Sequence, residues 1–416
     1  MLQYLRPKAS HFANSWQKLS KASYSVHPDP GRQFYFNRVL DTYAKQDLNI
    51  LTLRQLVFFG RNLSQEKILT SANYVRRELP IRLARRIRDF QNLPFIIGTN
   101  PHIENVYKLY WKAFNEIKKV RQIDNLESNK EFCLQLGELL NEHTSVIPEL
   151  SLGMAESARY LKKRDIDEFM KKCIFSRISR RVLVEQHVAL TDQWQNRSKQ
   201  DPNQVGIVSS ACDARSIVEK CSSLALDATH SYLDSRDFVI PTIMPKIEYE
   251  GYPTVKFAYI NDHIEFVLFE LFKNTFRAAY YNMGKNPDPK HPSALIKVTL
   301  SEGRDEVTFR ISDQAGGIPI SLQEELWSFA KSNDSNKKAL SQTKRHITKI
   351  EPSSVNNPHV DDLGIGLPLC KTFVEFFGGS LDLVSLPGWG TDVYVKIPKL
   401  GTQPERMEFD AQSPEP

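Results

Sequence analysis

The sequence predicts an α+β fold: an N-terminal four-helix bundle, then a mixed α/β sandwich with helices over one face of a largely antiparallel sheet. Three observations carry this. From about residue 30 to 195, apolar residues recur at helical spacing. At 196–206, NRSKQDPNQVG, that character breaks off in a polar linker. Beyond it, short β-branched and aromatic runs alternate with helical patterns. A length of 416 residues is enough for two cores of ordinary size.

In the first region, VYKLYWKAFNEIKKV places Val106, Leu109, Tyr110, Phe114, Ile117 and Val120 on one stripe with charges opposite. SANYVRRELPIRLARRIRDFQ reads as a second helix, kinked at Pro80. LPFIIGTNPH is a connection, marked by Pro94, Gly98 and Pro101. Residues 131–160 and 163–195 supply two more long amphipathic stretches. In the second region DFVIP, TVKFAYI, ALIKVTLSE and EVTFRIS read as strands. LPLCKTFVEFFGG reads as a helix stopped by a glycine. SLDLVSL and TDVYVKI form a closing hairpin through PGWG. Residues 322–362 carry no clear strand pattern and read as a functional lid or a disordered segment. Residues 401–416 read as a tail.

Composition narrows the setting. With 41% hydrophobic and 25% charged residues the chain is of ordinary globular type. No apolar run approaches the roughly 18 residues of a membrane span. A formal charge of +6 is too mild to imply nucleic acid. Cys133, Cys173, Cys212, Cys221 and Cys370 form no CxxC pair and are odd in number, which argues against a disulfide framework or a zinc site. Residues 1–28 hold Arg6, Lys8, Lys18 and Lys21 and no acid, the composition of a cleavable matrix-targeting presequence, with a disordered basic tail as the alternative. The expected division is therefore a presequence at 1–28, helical bundle at 29–197, sheet domain at 205–400 and tail at 401–416.

Four short signals follow in order within the second region. In FELFKN, Glu270 and Asn274 stand at i, i+4 on one helical face, and Lys273 and Arg277 make a parallel pair. A carboxylate can serve as a general base, and an amide oxygen is a hard ligand suited to Mg²⁺. In SDQAGGIP, Asp313 ends a strand and is followed by glycines. It can accept from a ligand amine while the chain passes close by. In LGIGLPL, glycines precede a helix, leaving backbone N–H groups for phosphate. In GWGTD, Thr391 can add a hydroxyl to the ligand. Each alone reads equally as a solvated helix edge or a tight turn; the ordered set does not.

That series resembles the N, G1, G2 and G3 boxes of the GHKL (Bergerat-type) ATP-binding fold of histidine kinases, Hsp90, gyrase and MutL. A histidine kinase would need a phosphoacceptor His followed by an acid; here His187 is followed by Val188 and reads as a packed histidine. The stretch from about 30 to 400 instead resembles the mitochondrial 2-oxoacid dehydrogenase kinases. LPFIIGTNP (93–101), SRISRRVLVEQH (176–187), ELFKNTFRA (270–278) and GGSLDLVSLPGWGTDVY (378–394) carry the likeness.

The resemblance implies a matrix protein-serine kinase that phosphorylates and inactivates the alpha subunit of a dehydrogenase component, foremost of the pyruvate complex. It implies ATP and Mg²⁺ as cofactors, with Glu270 as base, Asn274 as metal ligand and Asp313 on the adenine amine. The implied ATP contacts extend through Lys273, Arg277, Gly317, Ser332, Asn333, Leu363, Gly364, Ile365, Gly366, Leu367 and Thr391. It further implies docking on the lipoyl-bearing transacylase core, and a homodimer or a heterodimer with a paralogue. A branched-chain 2-oxoacid dehydrogenase kinase, a degenerate ATP-binding partner of an active kinase, and an ATP-driven conformational machine are the alternatives.

Four positions depart from the family. Ala315 replaces a glycine of the first box, where its methyl would crowd the nucleotide or restrict the turn. Asp362 opens the second box in place of glycine, setting an acid near a triphosphate. Phe266 stands where pyruvate-type kinases carry a histidine that tunes the base. The tail lacks the Asp-Trp motif of the pyruvate-type enzymes.

Overall fold

The structure is a computed structural model and describes residues 38–196, 201–236, 238–241, 243–252, 254–285, 294–330, 364–399 and 401–406. The described residues from Tyr43 onward form one compact unit. The expected presequence, most of the expected lid and the last ten residues lie outside the described residues.

The expected α+β order holds. Helices α1 (Leu53–Gly60), α2 (Gln65–Gln91), α3 (Pro101–Ile117), α4 (Leu126–Glu142), α5 (Val146–Ser157) and α6 (Lys163–Gln195) come first. Their starts are written in the sequence. Thr52 and Gln55 form a reciprocal capping box, Ser64 caps α2, and Asn100 caps α3 just before Pro101. Pro80 lies inside α2, which runs unbroken through it. Val106, Tyr110, Phe114 and Ile117 of the α3 stripe are buried, while Leu109 and Val120 are only half-buried. The stretch 131–160, expected as one helix, is two: a 3₁₀ turn at His143–Ser145 divides α4 from α5. Pro148 then falls in the first turn of α5, where a missing N–H costs nothing.

The second region holds β1 (Gln204–Val205), β2 (Val208–Asp213), α7 (Ala214–Asp234), β3 (Lys246–Gly251), β4 (Lys256–Ile260) and α8 (Asn261–Lys285). Then come β5 (Leu295–Glu302), β6 (Glu306–Asp313), α9 (Gly366–Glu375), β7 (Ser380–Leu386) and β8 (Gly390–Pro398). The strands form two sheets rather than the single one expected: β1-β2-β4, and β3-β5-β6-β8-β7. In the larger sheet only β3 and β5 run parallel. Helix α8 packs against α7 and α9, and its buried Val267, Leu268, Leu271 and Phe272 belong to the core that also holds Val298, Phe309 and Val395.

Two strand expectations need correction. DFVIP is not a strand: Phe238 and Ile240 pack as irregular chain on Leu233, Tyr280 and Met283. The linker stretch after 203 instead begins a sheet, with Val208 and Cys212 of β2 buried.

Helices of the first region grip the second. Lys171 of α6 pairs with Glu375 at the end of α9 at 2.8 Å, and Phe175 stacks on Phe376. Asp167 of α6 accepts from Ser328 Oγ (2.9 Å) and from Phe329 N (2.7 Å).

Candidate functional site

The FELFKN stretch lies in the middle of α8. Glu270 and Lys273, three residues apart, are neighbours on the helix surface. Lys273 Nζ donates to Glu270 Oε1 at 2.6 Å, and the two residues are 4% and 8% exposed. A buried carboxylate is tolerable because this ammonium compensates it. Asn274, one residue on, is exposed. Arg277, half-buried, lays its guanidinium 3.6 Å from the ring centre of Tyr232.

The start of α9 comes directly against Glu270. A Cβ placed on Gly366 would stand 2.8 Å from Glu270 Oε2, so only glycine lets this backbone come so close without a shift. The first and third sequence signals thus meet. Gly364 adopts φ 67° just before the helix, Ile365 is buried, and Gly366 and Leu367 open α9 half-exposed. Phe266, one turn before Glu270, packs on Phe373 of α9 with ring centres 4.8 Å apart. Its place is a packing contact between the two helices.

Asp313 and the GWGTD hairpin form a second cluster. Asp313 is at the end of β6, opposite Thr391 of β8 in the sheet register. It is 7% exposed, and its Oδ1 accepts from Ala315 N at 2.9 Å. Burial pushes its carboxyl up from the ordinary value, against the lowering effect of backbone N–H groups of Ala315 and Thr391. The loop then turns through two left-handed residues, Gly316 (φ 87°) and Gly317 (φ 67°). A Cβ on Gly317 would lie 2.2 Å from Leu386 O, so the loop is zipped onto the hairpin at backbone distance. Gly316 N–H donates to Trp389 O, and Gly388 N–H to Gly316 O.

One sequence expectation changes here. Ala315 is not strained: among the described residues Asn62 is the only non-glycine with positive φ, so the first-box turn takes its left-handed geometry from Gly316 and Gly317. The Thr391 hydroxyl lies 2.9 Å from Ser385 Oγ, a bond that leaves it capacity for a second partner. Ser385 escaped the sequence reading. It accepts from Ile318 N–H at 2.7 Å and bonds Thr391, tying loop to hairpin. A lone serine between Val384 and Leu386 gives no pattern to read.

Helix α8 spans the two clusters. Its Asn282 is the nearest side chain to the space over Gly316, at 3.8 Å from a Cβ placed there. Twelve residues separate Glu270 from Asn282, about 18 Å along the helix. Ser332, Asn333, Leu363 and Asp362 lie outside the described residues.

The donor set suits a magnesium nucleotide better than a protein-held metal. Among the described residues no three His, Cys, Asp or Glu side chains are grouped to hold an ion. A lone amide oxygen at Asn274 fits Mg²⁺, which takes few protein ligands and completes its shell with phosphate and water. His187 is fully buried, its Nδ1 3.0 Å from Ser71 Oγ and its Nε2 3.6 Å from Cys133 Sγ. All five cysteines are free thiols. No described helix is long and apolar enough to cross a membrane.

Residues 50–209 match the family described as mitochondrial branched-chain alpha-ketoacid dehydrogenase kinase. Residues 260–401, which include both clusters, match the histidine kinase-, DNA gyrase B- and HSP90-like ATPase family. The chain is 27% identical to pyruvate dehydrogenase (acetyl-transferring) kinase 2, mitochondrial, of Saccharomyces cerevisiae, covering 91% of this chain and 88% of that one. It is 26% identical to the mitochondrial kinase of the same name in Arabidopsis thaliana, over 86% and 92% of the two chains. Against isozyme 4 of Homo sapiens the identity is 25%, over 88% and 85%.

Proposed function

Because the chain belongs to the mitochondrial 2-oxoacid dehydrogenase kinase family, within the GHKL ATPases, we propose that it is an ATP-dependent protein-serine kinase of the pyruvate dehydrogenase complex. It would act in the mitochondrial matrix, on a serine of the dehydrogenase alpha subunit, and switch the complex off. The observation that carries this reading is the buried Glu270–Lys273 pair lying against Gly366, the first residue of α9.

Bound Mg-ATP supplies the γ-phosphoryl group and a divalent charge that screens the phosphates. The residues of the chain position and neutralise, which is most of what phosphoryl transfer asks of a protein. Asp313 accepts from the adenine amine, and the loop at Gly316 and Gly317 lets the base approach. Asn274 offers its amide oxygen to the metal, and Arg277 adds positive charge one turn further on. The N–H groups of Gly364 to Leu367 face phosphate at the start of α9. Lys273 exchanges Glu270 for a phosphate oxygen. Glu270 would then accept the serine proton as the serine oxygen attacks the γ-phosphorus and the bond from that phosphorus to the β,γ-bridging oxygen breaks, ADP leaving with that oxygen. The Thr391 hydroxyl shapes the loop through Ser385.

In this reading residues 1–28 are the presequence, 29–197 the helical domain and 205–400 the ATP-binding domain. Docking to the lipoyl-bearing core and pairing with a second copy or a paralogue belong to the same proposal. A branched-chain target is the second reading, favoured by the family matched at 50–209. Purified protein with Mg-ATP and each dehydrogenase alpha subunit, assayed side by side, separates them. Faster labelling of the pyruvate subunit is expected. Labelling of the branched-chain subunit alone reverses the assignment. Tight ATP binding with no labelling of either leaves a binding-only regulator.

A further inference from the structure

The last described residues, 401–406, do not trail off the sheet. They return to the helical region as a strap. Arg54 N–H donates to Gly401 O at 2.9 Å, and Thr52 bridges Pro404 in antiparallel fashion. Glu405 exchanges two hydrogen bonds with Leu51: its N–H donates to Leu51 O at 2.8 Å, and its Oε1 accepts from Leu51 N at 3.1 Å. Its carboxylate is then clamped by Arg82 of α2, with Nη2 to Oε1 at 2.8 Å and Nη1 to Oε2 at 3.1 Å. The pair is buried, with side-chain exposures of 0% and 1%. Arg82 also donates to Ser179 of α6 and to Asn49 O, so the guanidinium joins three parts of the helical region to the tail.

The next residue reaches the other way. Arg406 N–H donates to Phe376 O at 2.9 Å, the residue that closes α9, and its guanidinium lies 3.6 Å from Glu375. Glu375 is the same carboxylate that Lys171 of α6 holds at 2.8 Å. The strap thus fixes the C-terminal end of α9. The N-terminal end of that helix is Gly366, against Glu270. A ten-residue helix held at one end is a lever of fixed length.

We propose that Glu405 is a positioning residue for the phosphotransfer site. Its bidentate pairing with Arg82 latches the strap, the strap holds α9, and α9 sets the approach of the 364–367 backbone to Glu270 and to the phosphates. The proposal rests on the reading of α9 and Glu270 as the nucleotide site. A bidentate guanidinium–carboxylate pair is suited to a latch, because it fixes orientation as well as distance. Burial adds to this: releasing Glu405 would leave Arg82 the longer contact with Glu78, at 3.8 Å.

The test uses the full chain and its Glu405→Gln variant. Amide hydrogen exchange is followed over 366–376, and KM for ATP and kcat are measured separately. Faster exchange confined to α9 and the strap is expected, with KM for ATP raised about tenfold and kcat lowered by a smaller factor. Glu405→Asp should restore part of the KM. Arg406→Pro is the second variant. It keeps the Glu405–Arg82 pair, deletes the N–H given to Phe376, and should show the same signature even where Glu405→Gln does not fold. Unchanged exchange over α9 and unchanged KM in both variants overturn the proposal, as does loosening spread evenly over the chain. If the unaltered chain binds no ATP, the nucleotide reading fails, and the exchange result alone decides the strap.

Discussion

Lys273 Nζ lies 2.6 Å from Glu270 Oε1, three residues along α8 and almost wholly out of solvent. Here the ammonium neutralises the carboxylate. In the proposed reading, a bound polyanion would give the ammonium a stronger partner and leave Glu270 available for a proton. Buried pairs are costly to break from one side, on the order of 3–5 kcal/mol, so the exchange must be matched by a new partner on arrival. That coupling would keep Glu270 quiet until nucleotide is in place.

Glu270→Gln should reduce phosphorylation of the dehydrogenase subunit at least about 100-fold, the lower end of what general bases contribute. ATP binding should survive. Phosphate incorporation and nucleotide binding, measured on the same preparation, check this. Undiminished labelling removes Glu270 as the base.

Gly366→Ala puts a methyl 2.8 Å from Glu270 Oε2. Gly366 does not have a left-handed φ, so the backbone accepts alanine. Kcat should fall sharply while the melting temperature moves by only a few degrees, roughly the effect of 1 kcal/mol or less. A melt and a rate measured together separate the two.

Ala315→Gly restores the glycine of the family pattern and should restore nothing. Alanine is unstrained there, so glycine only adds unfolded-state freedom, costing about 0.4–1 kcal/mol. Gly317→Ala should do far more damage, because its Cβ would meet Leu386 O at 2.2 Å in left-handed backbone. Urea unfolding of both variants ranks them. A gain of ATP affinity in Ala315→Gly would show that the methyl does crowd the nucleotide.

Acid should destabilise the protein through its buried histidines. Burial alone lowers His187 from 6.5 to about 4. Between those values the unfolded chain binds a proton that the native site refuses. Stability is therefore full above pH about 6.5 and falls as pH drops towards 4, by about 3 kcal/mol in the limit. His143 is pushed further, to about 3, first by burial and then by Arg180 and Arg177. Unfolding at several pH values should show a shallower acid limb in His187→Gln. An identical limb means another group controls it.

How much of this was legible in the sequence differs by element. Helix α8, strands β5 and β6 and the closing hairpin announced themselves, because each has one buried face and a regular period. Strand β3 did not. It is an edge strand in which Ile247 and Tyr249, both only half-buried, alternate with Lys246, Glu248 and Glu250, and two apolar residues are too short a signal to set it apart from a polar loop. DFVIP misled for the converse reason: its apolar residues fill a hydrophobic cluster without pairing to a sheet. At the site, Glu270, Asn274 and Asp313 were readable as an ordered set. Ser385 was not, because its contribution is a contact across a hairpin. Nor was the direction of the Thr391 hydroxyl, since spacing fixes where a side chain starts and not what it bonds.

The Arg82–Glu405 pair closes a separation of 323 residues. A chain emerging N-terminus first has Glu78, one turn away at 3.8 Å, to compensate this guanidinium until its bidentate partner is made 323 residues later. The helical half cannot reach its final state by local contacts alone, and its completion waits on the far end. Such long-range closure slows folding and extends the time for which apolar helix faces stay exposed. A C-terminal truncation ahead of Glu405 would then be felt first at the opposite end of the sequence, as an early helix that never finishes folding.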